Sequence, residues 1–150
     1  MARKANKFQV AVEATPDIKN NYQSGLKALG GNSIKVKLAG GSCEGSVDID
    51  SSVSAKYPQE NRWDYCFSYK EQVYFVEVHP ASTSDVEIVI KKLDWLKNWL
   101  KTEAPKLNNL KAPESYFWLM TKGYSIIPGS RQARKVAGSG IKLLSKLVLK

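Results

Sequence analysis

Residues 63 to 80 read Trp63-Asp64-Tyr65-Cys66-Phe67-Ser68-Tyr69-Lys70-Glu71-Gln72-Val73-Tyr74-Phe75-Val76-Glu77-Val78-His79-Pro80. Trp63, Tyr65, Phe67 and Tyr69 alternate with Asp64, Cys66 and Ser68, and Gln72 to His79 is rich in β-branched and aromatic residues. This pattern predicts a hairpin that turns near Lys70-Glu71 and ends at Pro80. Side chains alternate faces along a strand, so Glu77 and His79 share a face about 7 Å apart. A two-residue loop at Lys70-Glu71 sets Asp64 opposite Glu77, whereas a loop at Glu71-Gln72 sets Asp64 opposite His79. Both place Asp64, Glu77 and His79 on one face, with Val73 and Phe75, and a bulge would spoil the arrangement. Two carboxylates on an apolar face are costly without a counter-charge, so the pair invites a hard divalent ion such as Mg²⁺. The competing reading has both acids at strand ends, facing water or paired with Lys and Arg.

C-terminal to the hairpin, Ser84-Asp85-Val86-Glu87 has capping-box spacing. Val86, Val89, Ile90, Leu93, Leu96 and Leu100 follow at helical intervals. They predict a long amphipathic helix from about Asp85 to Glu103, with Trp95 and Trp99 at the core edge. A strand is expected over Tyr116 to Thr121, a turn at Gly123 and a short return over Tyr124 to Ile127. Helices are expected over Ser130 to Val136 and Ile141 to Leu149, parted by Gly138-Ser139-Gly140. In the last of these, Lys142, Lys146 and Lys150 fall four apart, opposite Ile141, Leu144 and Val148.

On the N-terminal side, Thr15-Pro16-Asp17 reads as a helix start, with Ile18, Tyr22, Leu26 and Leu29 at helical spacing up to Gly30-Gly31. Short strands are expected around Ile34, Val36 and Leu38, and around Val47 and Ile49. Ser51 to Asn61 reads as a polar loop.

The 150 residues suit one domain with its own core, and no low-complexity tract or repeat interrupts them. The net charge of +9 is unevenly placed: residues 1 to 90 hold 10 Lys/Arg against 11 Asp/Glu, and residues 91 to 150 hold 13 against 3. Such asymmetry suits a polyanion partner, DNA or RNA, because cations beside phosphates release condensed counterions. Arg131, Arg134, Lys135, Lys142 and Lys146 are the candidate phosphate-facing residues; the competing reading is a solvated lysine-rich surface. The single histidine, His79, excludes two-histidine zinc fingers, HExxH metalloproteases and two-histidine ribonuclease mechanisms. Gly40-Gly41-Ser42 and Gly138-Ser139-Gly140 lack the context of phosphate-binding loops and read as turns. Cys43 and Cys66 are expected to be reduced thiols. Cys66 shares a face with Asp64, so a Cys66/His79 nucleophilic pair is geometrically conceivable, but no cysteine-enzyme motif surrounds it. Asp48 and Asp50 read as a solvated edge or a further ligand source. The basic start leads into no apolar segment, and no stretch approaches the roughly 18 apolar residues of a membrane span. A cytoplasmic protein without a membrane partner is expected.

A helix, a β-meander carrying Trp63-Asp64 and then Glu77-Val78-His79, a long helix and another strand resemble the PD-(D/E)xK nuclease superfamily. The resemblance implies an α/β fold with a mixed central sheet flanked by helices, a restriction-endonuclease-like core in α-β-β-β-α-β order. It implies a single domain over 1–150: an N-terminal segment 1–14, a nuclease-like core 15–127 and basic C-terminal helices 128–150. Asp64 and Glu77 would be ligands of Mg²⁺ or Mn²⁺ beside the Val78 carbonyl, and the ion would activate water for attack on phosphorus. His79 stands where the family has lysine, and Trp63 where proline is often found. The histidine would orient the water, act as base or ligate metal, or it marks a degenerate module that binds nucleic acid or a protein. The other alternative is an unrelated α/β interaction domain, with Trp63, Tyr65 and Tyr69 as core or interface residues. A homodimer is compatible with each reading.

Overall fold

A computed structural model describes residues 5–150, so the Arg3 and Lys4 of the basic start lie outside the described residues. The hairpin forms with β3 (Tyr65–Tyr69) and β4 (Gln72–His79) antiparallel, Tyr65 facing Val76 and Tyr69 facing Gln72. That register selects the Lys70-Glu71 loop. Both loop residues have positive φ, 51° and 64°, as in the mirror-image turns whose twist matches a hairpin. Neither is the usual glycine or asparagine. The Glu44 carboxylate compensates by accepting from the Lys70 and Glu71 backbone N–H groups (3.1 and 2.8 Å) and from Ser68 Oγ (2.9 Å).

Outward from the hairpin, β2 (Cys43–Asp48) pairs antiparallel with β3, while β5 (Lys111–Met120) and β6 (Lys142–Leu144) extend the sheet in parallel, giving the order β2-β3-β4-β5-β6. A parallel neighbour requires a crossover, which α3 (Val86–Thr102) and α4 (Pro105–Leu110) provide between β4 and β5. The result is a mixed α/β fold. On one face of the sheet, Cys66, Val73, Phe75 and Trp118 pack with Phe8 and Val12 of α1 (Lys7–Glu13) and with Val89, Leu93 and Leu96 of α3. On the other, Phe67, Tyr69, Val76 and Leu119 pack with Leu29 and with β1 (Val36–Leu38) and β7 (Leu147–Leu149), a parallel two-stranded ribbon.

Where sequence periodicity and structure differ, local hydrogen bonds account for the helix starts and partners distant in sequence for the rest. The expected helix from Thr15 is replaced by 3-10 turns at Pro16–Ile18 and Lys27–Lys35, with Gly25 and Gly30 at φ of 55° diverting the chain. Ile18 and Leu29 are buried all the same, so their spacing reported burial and not helix. The first α-helix is α1, inside the expected N-terminal segment, where Asn6 caps it by accepting from the Gln9 N–H at 2.7 Å. Ile49 opens α2 (Ile49–Val53) instead of ending a strand, because Asp48 accepts from the Ser51 N–H at 2.9 Å. The expected loop from Ser51 therefore begins as helix. The capping box before α3 is Ser82 with Asp85, two residues earlier than Ser84 with Glu87.

The strand expected from Tyr116 starts at Lys111, and the Tyr124–Ile127 return contributes a single bridge, Ser125 with Ser82. α5 (Arg131–Ser139) forms and ends at Gly140, whose φ of 89° suits glycine. The helix expected over Ile141 to Leu149 does not form. That stretch becomes β6 and β7, with Leu147 buried and Val148 exposed in strand alternation. A short Ile/Leu/Val run fits either period, and pairing with β5 and β1 decides it. Among the described residues, no helix is long and apolar enough to cross a membrane.

Candidate active site at the open end of the hairpin

Continuing the β3–β4 register by one pair brings Asp64 opposite Glu77. Each strand's backbone holds the other's acid: the Asp64 N–H donates to Glu77 Oε1 at 3.1 Å, and the Val78 N–H donates to Asp64 Oδ2 at 3.0 Å. Because the N–H and C=O of a strand residue point to the same edge, the Val78 carbonyl shares the Asp64 side of β4. Lys92 of α3 completes the group. Its ammonium contacts Glu77 Oε2 and lies 3.5 Å from Asp64 Oδ1. The Glu77 side chain is 0 % exposed, against 19 % for Asp64 and 17 % for Lys92, so the charges meet almost out of water.

Burial, with the neighbouring Asp64 charge second, pushes the Glu77 carboxyl up to about 8 in spite of Lys92. Burial also raises Asp64, against the pull of Lys92 and the Val78 N–H. For Lys92, burial opposes the charged form, but the two carboxylates outweigh it and its pKa is raised. With both acids ionised, one ammonium faces two carboxylates. The surplus negative charge needs a proton on Glu77 or a second cation, and a hard divalent ion fits this oxygen donor set.

His79 lies beside this group. Its Nε2 is 3.3 Å from Asp85 Oδ1 and its Nδ1 is 3.8 Å from Glu77 Oε2, with the ring edge-on to Trp118. Asp64, Glu77, Val78 and His79 are thus gathered at one end of the hairpin. Sequence reasoning missed Lys92, which sits on the flank of the Val89-Leu93-Leu96 stripe and reads like the adjacent, exposed Lys91 until the helix is docked. The Asp64 carbonyl accepts from the Ile49 and Asp50 N–H groups at 2.8 and 3.3 Å, tying α2 to the site. Asp50 pairs with Arg62 Nε at 2.7 Å, and Arg62 Nη1 donates to the Tyr57 carbonyl at 2.6 Å. Asp48, by contrast, is the cap of α2.

Cys66 faces Phe75 in the core, four residues or about 13 Å along β4 from His79, so the two do not form a pair. Both cysteines are free, and burial pushes the Cys43 thiol up to about 11. Among the described residues, no three His, Cys, Asp or Glu side chains form a metal cage. Arg131, Arg134 and Lys135 are exposed on α5, with Lys135 paired to Glu87 at 2.9 Å and Arg134 donating to the Gly129 carbonyl at 2.8 Å. Lys142 lies on β6, 3.6 Å from Glu114, and Lys146 lies between β6 and β7, so these two do not form the helical stripe expected of them. Compared with family models, curated proteins and solved structures, the chain matches none.

Proposed function

We propose that this protein binds DNA or RNA and hydrolyses phosphodiester bonds with Mg²⁺ or Mn²⁺, as a PD-(D/E)xK-like nuclease in which Lys92, and not His79, takes the part of the motif lysine. The observation carrying this reading is the convergence of a helix ammonium on the buried Glu77 and the half-buried Asp64 across the hairpin, with negative charge left over when both acids are ionised. Asp64, Glu77 and the Val78 carbonyl would hold the ion, which when bound polarises a phosphate oxygen and activates water. Lys92, its pKa raised by its partners, stays protonated and neutralises charge on a phosphate oxygen instead of acting as base. His79, oriented by Asp85, is the proton acceptor, since a neutral imidazole carries one nitrogen lone pair free to take a proton. The basic excess after residue 90 attracts the polyanion.

One observation favours a second reading, a catalytically degenerate module that binds nucleic acid or a protein: Lys92 already satisfies Glu77 as a structural ion pair would. Cleavage of end-labelled DNA and RNA in Mg²⁺ or Mn²⁺ separates the two. The nuclease reading expects cutting that falls at least about 100-fold in Asp64→Asn, in Lys92→Met and in His79→Ala. A wild-type protein that binds both nucleic acids yet cuts neither is the degenerate module.

A further inference from the structure

α3 carries more than Lys92. One turn on is Trp95, and two turns on, nearly in line with Lys92, is Trp99, about 10 Å along the axis. Trp95 stacks on Trp99 (ring centroids 5.7 Å apart, planes 11° apart), and Tyr57 meets Trp95 edge-on at 5.7 Å. Beneath them Asp17, its side chain only 6 % exposed, accepts from Tyr57 Oη at 2.8 Å and Trp99 Nε1 at 3.0 Å, and pairs with Lys56 at 2.7 Å. The polar tips of two rings are therefore pinned inward. Tyr57 and Trp95 remain partly exposed, walling a cavity of about 260 Å³ whose rim includes Asn98 and Glu103.

We infer that this aromatic cavity is a subsite that stacks one unpaired nucleobase of the strand whose phosphate lies at Asp64, Glu77 and Lys92. The inference rests on the nucleic-acid reading and narrows its substrate to strands with an unstacked base. Four features support it. The rings are held in place before any ligand arrives, so little ordering entropy opposes stacking. Lys56, Glu60 and Glu103 line the cavity, one cation against two carboxylates, and Lys56 is already paired to Asp17 at 2.7 Å and Glu103 at 3.5 Å, so the cavity suits a neutral base better than a phosphate. Asn98 and Glu103 offer hydrogen-bonding groups to a base edge. Finally, Arg62 joins cavity and carboxylates, bonding the Tyr57 carbonyl on one side and Asp50 on the other, with the Asp50 N–H on the Asp64 carbonyl.

The test is binding in EDTA, so that cleavage plays no part, of the full chain to single-stranded oligothymidylate and to an abasic oligomer of equal length. Tryptophan fluorescence reads the cavity directly, because Trp63 and Trp118 are 0 % exposed. The inference expects quenching by the thymidylate alone and roughly tenfold tighter binding of it than of the abasic strand. Trp95→Leu, which keeps an apolar contact on Trp99, should erase that difference and leave abasic binding unchanged. Equal binding of the two strands by wild type, without quenching, overturns the stacking subsite while nucleic-acid binding stands. Binding of neither overturns both.

Discussion

Replacing Lys92 with methionine keeps the stem that crosses the core edge but leaves Asp64 and Glu77 facing each other without a counter-charge. Breaking such a pair is costly, and with Asp64 and Lys92 partly in contact with water the expected loss is roughly 2–3 kcal/mol at pH 8. At pH 5 the loss should be smaller, since Glu77 then holds a proton; urea denaturation at the two pH values measures it. Glu77 itself sets a pH dependence. Its carboxyl is raised to about 8 from an ordinary value near 4.5, so the folded state binds more protons than the unfolded state between these limits. Its contribution is fully favourable below about pH 4.5 and is lost as pH rises through 8. Thermal melts of metal-free protein should show a falling Tm from pH 5 to 8, and Glu77→Gln should flatten that fall by several degrees. Residue identity made Asp64, Glu77 and His79 legible as a group, because strand alternation needs only the sequence. Lys92 was not legible, since one helical lysine differs from the next only by where the docked helix points it.

At the level of elements, the hairpin and α3 were readable because each carries a long, uninterrupted period, two for the strands and 3.6 for the helix. The N-terminal 3-10 turns and the C-terminal strands were not. In both places a short apolar run is consistent with two periods, and a partner distant in sequence makes the choice: Leu29 buries against the far face of the sheet, and Leu147 pairs beside Val36. The Lys70-Glu71 turn shows the same dependence, its unfavoured residues held by Glu44 from β2. Glu44→Ala should therefore destabilise the protein by about 1–2 kcal/mol through lost hydrogen bonds to the turn. Glu71→Gly, relieving the positive φ of 64°, should stabilise by about 0.5–1 kcal/mol, less whatever the exposed Lys7 pair contributes. Denaturant midpoints for the two variants check both signs.

For the whole molecule, the charge asymmetry was visible at once, but its layout was not. Lys142 and Lys146 fall on and beside β6 instead of along a helical stripe, so Arg131, Arg134 and Lys135 on α5 are the expected phosphate-facing residues that do lie on a helix. Neutralising Arg131, Arg134 and Lys135 together should lower the slope of log affinity against log salt by about 2, rather than nearly 3, because Lys135 is engaged by Glu87. Filter binding between 50 and 200 mM salt, a range suited to such slopes of about that size, reads the change.

Metal-dependent cleavage requires that the surplus charge at Asp64, Glu77 and Lys92 seat a divalent cation. Titration calorimetry of the wild-type protein with Mn²⁺ asks this directly. It should give a saturable, one-to-one heat that strengthens from pH 6 to pH 7 as metal displaces the Glu77 proton, and that vanishes in Asp64→Asn. No heat at millimolar Mn²⁺, or the same heat in Asp64→Asn, would contradict it and leave Lys92, Asp64 and Glu77 as a structural ion pair.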